Sequence, residues 1–367
     1  MKRIICTVTN DLSFDQRMIR ICTSLANAGY DVLLVGRKLK TSIPLINQAF
    51  RQKRFRLFFN KGKLFYLEYN LRLFFFLFFV KYDIVCSVDL DTLLPGYIVS
   101  KIKNKKTVYD AHEYFTEVPE VIERPMVKKI WEAVAAYIVP KVDAAYTVCE
   151  SLADIFYEKY KTRFAVIRNV PFRNKIDFKL KKNDAPFILI YQGVLNEGRG
   201  LEELIGAMEK SKGVICWLAG EGDISNKLRN MVAKKGLQKK VLFLGRISPG
   251  KLKKITPQAH LGINLLKNKS LNYYYSLANK TFDYMQAGIP SICMDFPEYK
   301  KINKRWGAFF LLKKLDAETI AGALVFLKNN KEKYGEMKSN SIKAAEHFVW
   351  EKEEGKLLET FTKLDIY

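Results

Sequence analysis

FILIYQGVLNEGRGLEELIGAMEKSKGVICWLA, residues 187–219, holds one complete repeat of the chain's architecture. An apolar run at 187–191 is closed by Gln192 and Gly193. Gly198-Arg199-Gly200 then punctuates the chain, 201–208 carries apolar residues at helical spacing, and a second apolar run follows at 213–219. Two short apolar runs joined by an amphipathic helix make a βαβ unit, because a strand covered by helices on both faces has no polar side to show.

The same alternation extends both ways. Upstream, strands are expected at 3–9, 31–35, 83–88, 107–110, 144–148 and 165–167, with helices at 16–28, 93–102, 127–139 and 152–160. Downstream, strands are expected at 241–244, 261–265 and 290–294, and an amphipathic helix at 348–364. Residues 172–186, rich in Lys, Asp and Asn and without periodicity, read as a linker. The expected class is α/β: two tandem Rossmann-like doubly wound domains facing a cleft, 1–171 and 172–347, with the terminal segment 348–367 crossing back to the first. Ligands of such sheets bind at the carboxyl ends of the strands.

The 367 residues are 49% hydrophobic and 27% charged, which excludes a disordered or collagen-like chain. Lys and Arg number 62 against 38 Asp and Glu, a net charge of +24 that attracts polyanions: nucleic acid, an anionic membrane face or phosphorylated substrates. The six cysteines form no CxxC pair and read as reduced core residues of a cytoplasmic protein, and three scattered histidines do not suit a His-built metal site. The N-terminus lacks the apolar core of a signal peptide. The longest fully apolar run, 73–80, is far short of the roughly 20 residues that span a bilayer.

Residues 50–82 carry eight basic side chains against Glu68 alone, interleaved with aromatics, and a helix over 64–80 would be apolar nearly all round. Basic residues and inserted aromatics suit peripheral docking on an anionic membrane. A core helix beside solvated lysines and a single-strand nucleic-acid platform are the alternatives; no nucleic-acid signature occurs elsewhere, and nucleic acid is not an expected partner.

No GxxxxGK[ST] loop occurs, and no GxGxxG follows the first strand, which ends in Thr9-Asn10-Asp11. Asp89-Leu90-Asp91 and Tyr109-Asp110-Ala111-His112-Glu113 each close an expected strand, where carboxylates and an imidazole can meet substrate hydroxyls. Arg199, between glycines and just before a helix, suits a phosphate. In SLANKTFDYMQAGIP, residues 276–290, a helix is expected from near Asn279 to Gly288. Its first-turn amides and Lys280 suit a diphosphate, and Asp283, one turn along the same face, suits two ribose hydroxyls.

Taken together, Asp15-Gln16-Arg17, Tyr109–Glu113, Tyr191-Gln192-Gly193 with Gly198-Arg199-Gly200, Ala219-Gly220-Glu221-Gly222, Phe243–Arg246, Asn279–Pro290 and Phe348–Glu351 make the chain resemble, over essentially its full length, a retaining glycosyltransferase of family 4 with the GT-B fold. The resemblance implies a metal-independent, cofactor-free transfer of a hexosyl or N-acetylhexosaminyl group from a UDP- or GDP-sugar. The donor would be bound by Gly193, Arg199, Glu221, Arg246, Asn279, Lys280 and Asp283. It implies His112 beside the transferred sugar, acting with Arg199 and Lys280 in catalysis, and Asp15, Arg17, Asp91 and Glu113 toward the acceptor. A lipid-linked saccharide at the inner membrane face, in surface polysaccharide assembly, is the expected acceptor. Three positions depart from the family pattern: Tyr275 stands where the first acid of its paired-acid motif falls, Val194 stands at an arginine, and the first strand lacks the glycine-rich loop. A nucleotide-sugar epimerase of the same fold and a non-catalytic binding protein are the rival expectations.

Overall fold

The structure, a computed structural model, describes residues 1–13, 15–174 and 186–365. Most of the linker expected at 172–186 lies outside the described residues. The chain divides into two compact units, Met1–Asn169 with Lys352–Tyr367, and Val170–Glu351.

The first unit is built on a seven-stranded sheet of β1 (Arg3–Thr7), β2 (Asp31–Lys38), β3 (Arg51–Arg56), β4 (Ile84–Val88), β5 (Lys106–Ala111), β6 (Ala144–Thr147) and β7 (Ala165–Val166). Their order is β3-β2-β1-β4-β5-β6-β7, with every pair parallel. The direction of winding reverses between β1 and β4, so the carboxyl ends of these two strands open the crevice where doubly wound sheets bind ligands. β4 is buried at every position, as a strand with helices on both faces must be.

The second unit repeats the plan with β8 (Phe187–Gln192), β9 (Val214–Ala219), β10 (Val241–Gly245), β11 (Leu261–Asn264), β12 (Ser291–Met294) and β13 (Phe309–Leu312), in the parallel order β10-β9-β8-β11-β12-β13. Its switch point falls between β8 and β11, the strands that lead toward Arg199 and Lys280. All six cysteines are buried and none is in a disulfide.

Two strands escaped the sequence reading. β13 is a four-residue run, FFLL, too short to separate from the helices around it. β3, RQKRFR, half-buries Gln52, Arg54 and Phe55, so polar stems hide the period. It forms the sheet's edge, where charge discourages pairing with another chain. The helix after it, Gly62–Phe79, is not buried all round: Phe65, Tyr69, Leu73 and Leu77 face the core and the opposite side is exposed.

The terminal helix, Trp350–Thr362, joins the first unit from Lys352 onward. Glu353 accepts the Arg168 backbone N–H at 3.0 Å, and the Phe361 ring packs 6.5 Å from that of Tyr30. Among the described residues no helix is long and apolar enough to cross a membrane.

Candidate functional site

In the second unit, β8 runs out at Gln192 and the chain turns through Gly193 with φ +133°. A side chain at Gly220, the residue after β9, would lie 1.8 Å from the Gly193 carbonyl oxygen, so only glycine lets the two loops touch. This contact fixes the mouth of the site. Arg199 sits between two glycines in the left-handed region, and a Cβ on Gly198 would meet the Tyr273 ring at 2.8 Å. The Arg199 guanidinium lies 5.1 Å from the Tyr273 ring centroid, and its buried Nε has no hydrogen-bond partner among the described residues.

The helix Asn279–Gln286 opens beside it. Asn279 is the first helical residue rather than the cap; the cap position is Ala278, which has no side-chain acceptor, so no side chain caps the first turn. Lys280 projects its ammonium to 3.8 Å from the Tyr191 ring centroid and close to Gly193. Burial, and then the Arg199 charge, hold its pKa well below the ordinary lysine value. Two cations that repel each other over a glycine, at an uncapped helix start, make a seat for a dianion such as a diphosphate.

Asp283, on the same helix face as Asn279, accepts a 2.8 Å hydrogen bond from Gln192 Nε2, and Gln192 Oε1 in turn accepts from Thr256 Oγ1 at 3.0 Å. Its carboxylate is therefore oriented at the end of β8. Glu221 is bound by Arg229, which with the Ser225 hydroxyl lowers its pKa. Arg246 is exposed, and its charge is felt at Glu221. Tyr275 ends the short helix Leu271–Tyr274, half-buried against the Tyr274 ring at 5.0 Å, and Val194 is exposed.

In the first unit, carboxylates gather at the carboxyl ends of β4 and β5. Asp89, with φ 55°, accepts the His112 N–H at 2.9 Å. Asp91, in the first turn of the helix Leu90–Ile102, accepts a 2.6 Å bond from Thr9, and burial, with Glu113 adding to it, raises its pKa to about 7. Glu113 is half-buried and raises the pKa of both aspartates. His112 is held neutral: burial, then Arg17 and Arg20, push its pKa down to about 3. Among the described residues no group of three or more His, Cys, Asp or Glu side chains could hold a metal ion.

Two expected acceptor residues are placed otherwise. Asp15 caps the helix Gln16–Asn27, taking the Met18 N–H at 3.0 Å. Arg17 is buried in the unit's interior, where it binds Asp110 at 2.7 and 3.3 Å. The Asp15 carboxylate satisfies a first-turn N–H of its helix, and the buried Asp110 is paired by the Arg17 guanidinium, so both side chains are engaged by the fold. Thr9 and Asp11, which stand where a glycine loop would be, are likewise engaged, by Asp91 and Arg54. The sequence did not reveal the aromatic seats Tyr191 and Tyr273 or the Gln192–Asp283 bond.

Two parallel doubly wound units of this kind define a GT-B architecture. The chain belongs to glycosyltransferase family 4: residues 16–170 match the family described as Glycosyltransferase Family 4, and residues 172–344 match the one described as Glycosyl transferases group 1. Among solved structures it is similar to sucrose-phosphate synthase from Thermosynechococcus elongatus, at 15% identity and TM-score 0.82 with both chains fully covered. It is also similar to Anabaena HepE in complex with UDP-glucose, at 14% identity and TM-score 0.76, covering 99% of this chain and 100% of that one. A third is WaaG, a glycosyltransferase involved in lipopolysaccharide biosynthesis, at 14% identity and TM-score 0.69, covering 96% and 98%. At such identities the likeness is one of fold. No curated protein sequence matches the chain.

Proposed function

We propose that this glycosyltransferase moves a hexosyl or N-acetylhexosaminyl group, with retention, from a UDP- or GDP-sugar to a lipid-linked glycan in surface polysaccharide assembly. The observation that carries the donor assignment is the convergence of Arg199 and Lys280 at the uncapped start of the helix Asn279–Gln286. HepE, of the same fold, is described in complex with UDP and with UDP-glucose, which supports a uridine donor.

In this reading the diphosphate lies against Gly193, Arg199, Lys280 and the amides of Asn279 and Lys280, and Asp283 binds the ribose. Glu221 and Arg246 border the nucleotide. As the sugar–phosphate bond breaks, charge grows on the leaving diphosphate, and the two cations stabilise it there without a metal or other cofactor. The acceptor hydroxyl attacks the face being vacated and gives its proton to the departing phosphate oxygen. Neutral His112 hydrogen-bonds the transferred sugar, and Asp91 and Glu113 hold acceptor hydroxyls. The protein works from the cytoplasm, peripherally on the inner face of the membrane, through residues 50–82.

A thermal-shift panel of nucleoside diphosphates and nucleotide-sugars, with chelator and with magnesium, tests this. At about a hundredfold excess over Kd a ligand adds about 2.7 kcal/mol, a readable shift. A metal-independent shift by a uridine or guanosine series is expected; no shift by any of them removes the donor assignment.

A further inference from the structure

The helices Gly62–Phe79, Leu90–Ile102 and Pro125–Ile138 lie side by side on the first unit, with Leu90–Ile102 packed against both others. Tyr97 of the second meets Tyr137 of the third at 6.4 Å between ring centroids, and Tyr66 of the first meets Trp131 of the third at 5.9 Å. Each helix has a buried side and an outward one, and large apolar side chains stand on all three outward sides.

On Gly62–Phe79 the exposed large apolar residues are Leu64, Leu67, Leu71, Phe75, Phe78 and Phe79, a stripe opposite the buried one. Leu94, Ile98 and Ile102 form the stripe on the next helix, and Met126, Ile130 and Tyr137 on the third. Ile130 is 60% exposed, which leaves most of an isoleucine in water. An apolar area extending over three adjacent helices exceeds what scattered surface residues explain.

The surroundings of this face are basic. Lys63 and Arg72 stand exposed on the first helix, Lys101 on the second and Lys129 on the third. Glu68, the acid of the first helix, already accepts the N–H groups of Phe58 and Phe59 and the Arg72 guanidinium. A second copy of this chain would bring like charges together across the face. Nucleic acid would leave the Leu and Ile stripes without an apolar partner. A bilayer with anionic headgroups satisfies both the stripes and the lysines.

We propose that the outward sides of these three helices form one surface that docks on an anionic phospholipid bilayer. This rests on the peripheral-membrane reading of residues 50–82 and extends the contact to two helices beyond them.

Co-sedimentation of the full chain with phosphatidylglycerol–phosphatidylcholine vesicles, against phosphatidylcholine alone, tests it. The native chain is expected to bind the first and not the second. Ile98→Asp with Ile130→Asp, and separately Lys101→Glu with Lys129→Glu, should each weaken binding about tenfold, with melting temperatures within a few degrees of native. The lysine pair is exposed, so it reads the surface even where the isoleucine pair fails to fold. Loss on Phe75→Asp with Phe78→Asp but not on either of these pairs would confine the contact to residues 50–82 and overturn the three-helix surface. Equal binding to both vesicles, or to neither, would overturn the membrane reading itself. A native dimer that the isoleucine variant makes monomeric would assign the face to a second copy instead.

Discussion

The Lys280 ammonium stands 3.8 Å from the centroid of the Tyr191 ring, seated on an aromatic face rather than on a carboxylate. Arg199 is seated likewise on Tyr273. Aromatic seats hold both groups in place without a carboxylate to neutralise them, so below the Lys280 pKa the proposed diphosphate would meet the field of both. A carboxylate in either position would spend that charge before the substrate came.

This arrangement couples binding to a proton. Lys280 titrates well below the ordinary lysine value in the free protein, and a bound diphosphate raises its pKa by favouring the charged form. Nucleoside diphosphate binding should therefore take up a proton at alkaline pH and weaken as pH climbs past the free value. Calorimetry in buffers of different ionisation enthalpy reads the uptake, and Lys280→Met should abolish it.

Gln192, at the end of β8, orients Asp283 through a 2.8 Å hydrogen bond. Gln192→Ala should raise KM for the nucleotide-sugar about tenfold and change kcat about twofold or less, because the ribose contact serves substrate and transition state alike. A fall in kcat at unchanged KM would contradict that role.

Arg17 is bound to Asp110 inside the first unit. Arg17→Met should cost about 3–5 kcal/mol in urea unfolding by leaving Asp110 unpaired, and adding Asp110→Leu should recover most of it. Native stability with a raised acceptor KM would return Arg17 to the acceptor site.

Asp91 has a folded pKa of about 7 against an ordinary 3.8. The folded state thus binds more protons between those values, and this group's contribution to stability falls as pH rises from about 4 to about 7. Asp91→Asn keeps an acceptor for Thr9 and removes the charge, so it should stabilise the protein by a few kcal/mol at pH 8 and by much less at pH 5, read as the difference in Tm. A gain independent of pH would show that Asp91 is ionised without cost.

The doubly wound plan was legible because parallel strands buried on both faces leave long apolar runs, as in 187–191 and 213–219. β3 was not, because its half-buried positions are filled by the stems of Gln52 and Arg54. Arg199, Lys280 and Asp283 could be read from glycine spacing and a helix start, which are local signals. Their supports could not: Gln192 and Asp283 are 91 residues apart, and only the folded sheet with its helices brings them together. Asp15 and Arg17 carry the same charges whether they meet a ligand or hold a helix and a buried aspartate, and the fold decides which.

The most direct test measures UDP and GDP affinity, in chelator, for the native chain and for Arg199→Ala with Lys280→Ala. The diphosphate seat requires the nucleotide bound by the native chain to bind at least about a hundredfold more weakly to the double variant, while both proteins melt at similar temperatures. Equal affinity in the two would contradict the assignment of these cations to the donor.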